Sequence, residues 1–317
     1  MKKILLTLLL LVISASGLAQ SKSNKVISIG FQKGSGLLSI LKTQGTLEKA
    51  LAPQAYQVKW IEFPAGPQLL EALNAGSIDF GNTGAPPPIF AQAAGVDLVY
   101  VGAEPASPSS EAIFVKKDSA IKTVADLKGK KIALQKGSSS NFLLVAALQN
   151  VHLQPSDVQA IYLTPADARA AFVNGNVDAW IVWDPYLAAA QKAYQVRILT
   201  DYHGLQQTNG FYQASRRFAE QSPDLVSTLL AQIAVVGDWA NKHPQQVVEL
   251  IAPQLGLEPD IVAIWQGRTH YGVTPITPEI IANQQRVADI FTQLKLIPKT
   301  IKVSDKVWNW KPAKSAK

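Results

Sequence analysis

Two stretches of the chain share one order of apolar and polar positions. VISIGF leads into the polar QKGSG and then into LLSILKTQG, whose apolar positions recur at helical spacing; KIAL leads into QKGSS and then into NFLLVAALQN. Gln32 and Gln135, at the polar junctions, lie 103 residues apart. Downstream of each, a helical pattern ends in Gly and a short strand begins with Asp, as LLEALNAGSIDFG in the first stretch and ARAAFVNGNVDAWIVW in the second. Gly76 and Gly175 are 99 residues apart, as are Asp79 and Asp178. Two motifs matching in order and spacing point to an internal duplication.

Each half predicts strand, helix, strand, helix, strand. Val58 to Phe63 carries the aromatic and β-branched residues of a strand. Gly66-Pro67 opens a helix with Leu69, Leu70 and Leu73 on one face and Gly76 as terminator. Thr164, Pro165 and Asp167 open its counterpart as N-cap, first-turn proline and first-turn acid, closed by Gly175. Such alternation implies mostly parallel sheets flanked by helices, hence two α/β lobes. Beyond them the chain turns helical. One pattern runs from Ser222-Pro223 through Leu225, Leu229, Leu230, Ile233 and Trp239 and stops before Pro244; another follows Thr277-Pro278 through Ile281, Val287, Ile290 and Leu294. Their apolar faces are expected to cover the first lobe's sheet, so the chain must cross between lobes twice. The turn-rich segments 105–110 and 201–210 are the candidate crossings. The expected division is residues 20–108 with 210–317 as the first lobe and 109–209 as the second.

The first nineteen residues stand apart from this pattern. Lys2 and Lys3 precede an apolar run from Ile4 to Ile13 and a small-residue exit ending at Ala19. That is the form of a cleaved secretory signal, 1–19, and it predicts a periplasmic protein beginning near Gln20. The run is shorter than the roughly 20 residues of a membrane span. Of 317 residues, 47% are hydrophobic and 17% charged, which excludes a disordered or fibrous chain. The absence of Cys excludes disulfides, thiolate metal sites and a Cys nucleophile. The formal charge of +7, two units of it from Lys2 and Lys3, is spread along the chain, and the lysines near the C-terminus read as a solvated tail. No basic stripe lies in a recognisable module, so no nucleic-acid partner is expected.

Ligands of parallel sheets gather where strands end and helices begin. Four such junctions stand out: Gln32-Lys33-Gly34-Ser35, Gly81-Asn82-Thr83-Gly84, Gln135-Lys136-Gly137-Ser138-Ser139 and Trp183-Asp184-Pro185. Helix starts with unpaired N–H groups, Gly that admits close approach and Ser or Thr hydroxyls make anion cradles of neutral donors. The plainer alternatives are an N-cap role for Ser138 or Ser139, a turn-shaping role for Gly81 and Gly84, and a core position for Trp183. Trp183, with Tyr186 or Tyr212, is a candidate cover for an apolar tail. Enzyme signatures are lacking: no phosphate-binding GKS/T loop, no GxGxxG and no GxSxG occurs. His152, His203, His243 and His270 lack metal-ligand spacing, and the aspartates fit caps and loops. No catalytic residue, metal ligand or cofactor is therefore nominated.

IGFQKGSG, EFPAGPQLLEALNAGSIDFGNTG, PPIFAQAAG, VADLKGKKIALQKGSSS, LTPADARAAFVNGNVDAWIVWDPYLAAA and LIPK resemble the aliphatic-sulfonate-binding proteins of ABC importers. The resemblance covers nearly the whole chain after the signal segment and is most specific over residues 26–187. It implies the two-lobed type II periplasmic-binding-protein fold with two hinge crossings, closing on a ligand, and a monomer that hands an alkanesulfonate to a membrane permease and its ATPase. Matched position by position, Gln32, Gly66, Thr83, Gly84, Ser138 and Ser139 would donate to the sulfonate oxygens, while Trp183 and Asp184 would line the pocket for the organic tail. One departure is Ala85, where the family carries an acid after the GSTG-like turn. Taurine, nitrate or a vitamin precursor on the same fold are alternatives, as is an enzyme built on it; a sulfinate-cleaving enzyme of that type would need the Cys this chain lacks.

Overall fold

The duplicated pattern folds into two five-stranded sheets of the same strand order. The computed structural model describes residues 25–308; the expected signal segment and the last lysines of the tail lie outside them. The strands are β1 (Lys25–Gln32), β2 (Tyr56–Phe63), β3 (Phe80–Thr83), β4 (Leu98–Ala103), β5 (Glu111–Lys116), β6 (Lys131–Leu134), β7 (Gln159–Tyr162), β8 (Ala179–Trp183), β9 (Val196–Thr200) and β10 (Phe211–Ser215). The helices are α1 (Gly36–Gln44), α2 (Thr46–Leu51), α3 (Gly66–Asn74), α4 (Pro86–Ala93), α5 (Ser139–Asn150), α6 (Pro165–Val173), α7 (Tyr186–Ala193), α8 (Arg216–Gln221), α9 (Pro223–Lys242), α10 (Pro244–Leu255), α11 (Pro259–Gln266) and α12 (Pro278–Gln293). Among the described residues no helix is long and apolar enough to cross a membrane.

The first sheet has the order β2-β1-β3-β10-β4 and the second β7-β6-β8-β5-β9. In each, one strand runs against the rest: β10 is antiparallel to β3 and β4, and β5 to β8 and β9. Each reversed strand follows a crossing. The chain passes from β4 to β5 through residues 104–110 and from β9 to β10 through 201–210. The crossings are tied together, Glu104 N–H donating to the Gly210 carbonyl at 2.8 Å and Asn209 Nδ2 to the Glu104 carbonyl at 2.8 Å.

The duplication holds at the level of single hydrogen bonds. Asp79 N–H donates to the Ser28 carbonyl at 2.8 Å while its carboxylate accepts from Ser28 N–H at 2.9 Å. Asp178 does the same to Lys131, at 2.8 Å in both directions. The preceding Gly76 and Gly175 take φ of 71° and 74°, the left-handed conformation that ends α3 and α6 and turns the chain back into the sheet. Thr164 caps α6, its hydroxyl oxygen accepting from Asp167 N–H at 3.3 Å, and Thr277 caps α12 by accepting from Ile280 N–H at 3.2 Å. Ser222 stands at the N-cap position of α9 but makes no side-chain capping bond.

Three apolar clusters hold the layers. One joins a face of the first sheet to α1, α2, α9 and α10 through Ile27, Ile29, Leu38 and Ile233. Another lies in the second lobe under α6 and α7, around Phe114, Phe172 and Trp180. The third runs from α3 and α4 through α12 to α5 and so spans both lobes. Here the expectation for α12 changes: Phe291 meets Phe90 of α4 at 5.1 Å and Phe142 of α5 at 5.8 Å between ring centroids, so the helix wedges between lobes instead of covering the first sheet alone. Helices α10 and α11 go beyond the patterns read from the sequence, and Pro253 inside α10 interrupts the signal that would have marked it.

Candidate functional site

All four junctions converge at the interface of the lobes. Gln32, Gly66, Thr83, Gly84, Ser138, Ser139, Trp183 and Asp184 line one cavity of about 190 Å³. Its walls touch each other. A Cβ on Gly84 would lie 3.2 Å from Cβ of Ser139, and one on Gly34 would lie 2.6 Å from the Asp184 carbonyl oxygen. At Gly34 the backbone of the opposite junction leaves no room for a side chain, while at Gly84 the approach is tight and Ser139 would have to give way slightly.

Local hydrogen bonds fix the donors. Gln32 Nε2 donates to the Asn82 carbonyl at 3.0 Å, holding the side chain across the ends of β1 and β3. Ser35 Oγ accepts from Gln32 N–H at 2.8 Å and donates to Asn82 Oδ1 at 2.6 Å. The Thr83 hydroxyl accepts from Gln213 Nε2 at 3.0 Å and donates to the Gly84 carbonyl at 2.9 Å. Ser138 occupies the N-cap position of α5, yet its hydroxyl donates to the Gln135 carbonyl at 2.7 Å and caps no N–H. The N–H groups of Gly84, Ser139 and Ser140 meet no acceptor among the described residues, as expected for helix starts. The Gly84 and Ser139 N–H groups and Gln32 are what the cavity holds ready for an anion, with the Ser139 hydroxyl beside them.

Carboxyl groups also line the cavity, and the sequence reading missed two of them. Glu111, at the head of β5, is 4% exposed. Burial first, then hydrogen bonds from Ser140 and Ser139 in opposition and repulsion from Asp184, leave its carboxyl up at about 7. Glu104, in the first crossing, accepts from Asn82 Nδ2 at 3.3 Å, and burial raises its pKa above the usual carboxylate value. Asp184, after β8, accepts from Ala188 N–H at 2.9 Å and pairs with Arg268 at 3.3 Å. Burial outweighs the guanidinium and holds its carboxyl at about 6. Arg268 also donates to Gln191 of α7. Nothing local in the sequence marks Glu104, Glu111 or Arg268, because each acquires its setting from a partner far along the chain. Among the described residues no group of His, Asp and Glu is arranged to hold a metal ion.

Two expectations about this cavity are corrected. Tyr212 lies in the core, stacked on Phe80 at 5.9 Å, and Tyr186 packs edge-on behind Trp183 at 6.4 Å without lining the cavity. The aromatic wall is instead Trp183 with Tyr202, Trp265 and Tyr271. Ala85 also lies off the cavity, buried in the apolar cluster, with its carbonyl accepting from Gln284 Nε2 at 2.6 Å.

The family described as NMT1/THI5 like matches residues 57–247. A curated protein of Escherichia coli strain K12, carrying the name aliphatic sulfonates-binding protein, is 46% identical over 300 residues, 94% of this chain and 93% of its own length. The crystal structure of the periplasmic aliphatic sulphonate binding protein SsuA from Escherichia coli superposes with a TM-score of 0.83 at 45% identity, covering 93% of this chain and 96% of that one. The alkanesulfonate-binding protein SsuA from Xanthomonas axonopodis pv. citri, bound to MOPS, superposes with a TM-score of 0.85 at 41% identity, covering 89% and 98%. With that identity sustained along nearly the whole chain, and with the two-lobed periplasmic-binding architecture in common, this protein belongs to the aliphatic-sulfonate-binding protein family.

Proposed function

We propose that the chain is the solute-binding component of an ABC importer, exported through its N-terminal segment, that captures aliphatic sulfonates between its lobes and delivers them to a membrane permease. The lobes are taken as residues 20–108 with 210–317, and 109–209. The observation that carries the reading is the meeting of Gln32, Gly84 and Ser139, from both sheets, at one cavity whose ready donors are neutral. A sulfonate is ionised at every physiological pH, so it asks for donors and never for a base. Gln32, Gly66, Thr83, Gly84 and Ser139 surround its oxygens, Ser138 shapes the loop beside them through the Gln135 carbonyl, and Trp183 and the Asp184 wall flank the tail. The ligand leaves unchanged. An enzyme that breaks carbon–sulfur bonds through a Cys nucleophile is disfavoured by the absence of Cys from the chain.

Calorimetry tests this with a series of alkanesulfonates, taurine, nitrate and sulfate, in buffers free of sulfonates. Binding in the micromolar range or tighter is expected, strengthening by about 0.8 kcal/mol per buried methylene until the cavity fills. Tighter binding of nitrate or sulfate than of every organic sulfonate would refute the assignment. Mass spectrometry of the recovered ligand checks that no reaction accompanies binding.

A further inference from the structure

The proposed ligand is a permanent anion, yet the cavity that would receive it already contains Glu104, Glu111 and Asp184. The described cation paired with any of them is Arg268, and it is spent on Asp184. Glu111 is the carboxyl placed against the donors. Its carboxylate accepts from the Ser140 hydroxyl, and Ser139, at the cavity, is the residue before Ser140. The other groups facing it are Asp184 from the turn after β8, which is acidic, and Tyr202 from the second crossing, whose hydroxyl donates to the Ser139 carbonyl at 3.0 Å. Trp183 is its strand neighbour on β8. No salt bridge reaches Glu111 among the described residues.

Hydrogen-bond accounting then separates the two states of Glu111. Ionised, it takes the hydroxyl hydrogen of Ser140 and attracts that of Ser139 away from a sulfonate, and its charge repels the ligand. Protonated, it donates its own hydrogen to one serine, the repulsion vanishes, and the Ser139 hydroxyl is free to turn toward the anion. The proton comes from solvent to a carboxylate oxygen and no other bond changes.

We propose that an aliphatic sulfonate binds together with one proton that lodges on Glu111, making the neutral acid part of the donor face toward the ligand. The proposal rests on the sulfonate reading given above. Its geometric basis is the burial of Glu111 at the cavity wall beside Ser139 and Ser140; the carboxyl's raised pKa, near neutrality, agrees with it. Linkage fixes the sign: a ligand that raises the pKa of Glu111 must bind more tightly as pH falls.

The test is calorimetric titration of the exported protein with ethanesulfonate, whose own charge does not change, in phosphate and in Tris across about pH 5.5 to about pH 8.5. Heats that differ with the buffer's ionisation enthalpy should report uptake approaching one proton per ligand near pH 8, falling toward zero at the acidic end. Affinity should weaken by up to about tenfold per pH unit above neutrality. Glu111→Gln should abolish both effects and bind more tightly than the wild type near pH 8. Should that variant fail to fold, the wild-type proton count decides alone. His270 lies at the same cavity, and His270→Gln should keep the pH slope. Ethanesulfonate binding without proton uptake, a slope that survives in Glu111→Gln, or a slope that disappears in His270→Gln would each overturn the proposal while leaving the sulfonate reading intact. No ethanesulfonate binding at any pH would overturn both.

Discussion

Arg268, in the loop after α11, reaches across to Asp184 of the second lobe, its Nη1 lying 3.3 Å from both carboxylate oxygens. The Asp184 side chain is almost wholly buried and Arg268 is one-fifth exposed, so the pair is a desolvated latch at the edge of the cavity. Beside it Lys192 pairs with Asp260, but in the open, where a pair contributes little.

Arg268→Ala leaves a buried carboxylate without its counter-charge. The closed arrangement should lose about 2–3 kcal/mol, less than a fully buried pair because Arg268 keeps some water contact. At saturating ligand the expected result is a lower melting temperature and a larger radius of gyration by solution scattering than for the wild type, with ligand affinity reduced because closure now costs more.

Asp184 also carries a pH signature. Its carboxyl titrates near 6 in the folded chain, above the ordinary value of 3.8, so the folded state binds more protons than the unfolded one between those limits. This contribution to stability is present in full below the ordinary value and is lost as pH rises through about 6. Melting curves between about pH 4 and about pH 6.5 should show that loss, and Asp184→Asn should reduce it to the part that Glu111 contributes.

Gly34→Ala would set a methyl group 2.6 Å from the Asp184 carbonyl, a backbone atom that cannot swing away. The clash exists only when the lobes meet. Affinity is therefore expected to fall about tenfold or more, equivalent to at least 1.4 kcal/mol against closure, with little change in melting temperature without ligand. Saturating ligand should shrink the wild-type radius of gyration and fail to do so for the variant.

The two serines at the head of α5 are expected to separate. Ser138 is engaged with the Gln135 carbonyl, so Ser138→Ala should cost about 1 kcal/mol of stability through the loop. Ser139 stands at the cavity, 3.4 Å from where a Gly84 Cβ would be, and Ser139→Ala should weaken sulfonate binding about tenfold with little effect on melting. Calorimetry and thermal melting on both variants distinguish the two roles.

Ala85→Asp places a charge in the apolar cluster beside Gln284, not at the ligand. A loss of about 3 kcal/mol or more is expected, read as a fall of several degrees in melting temperature, with no selective gain for amine-bearing sulfonates.

What the sequence disclosed depended on whether a signal was local. The four junctions were legible because each combines a strand end, Gly or Ser, and a helix start within a few residues. Asp79 and Asp178 were legible as a repeat, although their work in bridging to Ser28 and Lys131 was not. Tyr212 misled because β10 is buried on both faces: Phe211 points into one apolar cluster and Tyr212 into another, so alternation cannot say which face is wet. Glu111 reads as the unremarkable start of EAIFVK, and Arg268 lies 84 residues from the acid it serves. Both acquire meaning only when β5 is inserted beside β8 and α11 is brought against α7.

The reversed strands impose an order of assembly. The second sheet draws its strands from one continuous stretch, Glu111 to Thr200, whereas β4 is bound to the first sheet through β10, which is synthesised only after that stretch. A chain emerging from its N-terminus first must therefore hold β1, β2, β3 and β4 without their final closure until the middle of the molecule has passed. The shorter-range pairings of the second lobe can form meanwhile, since loop closure is less costly for them. During this interval the edge of β3 and both edges of β4 stand open to strands of other molecules, the segment of the chain's life in which a chaperone has most to protect.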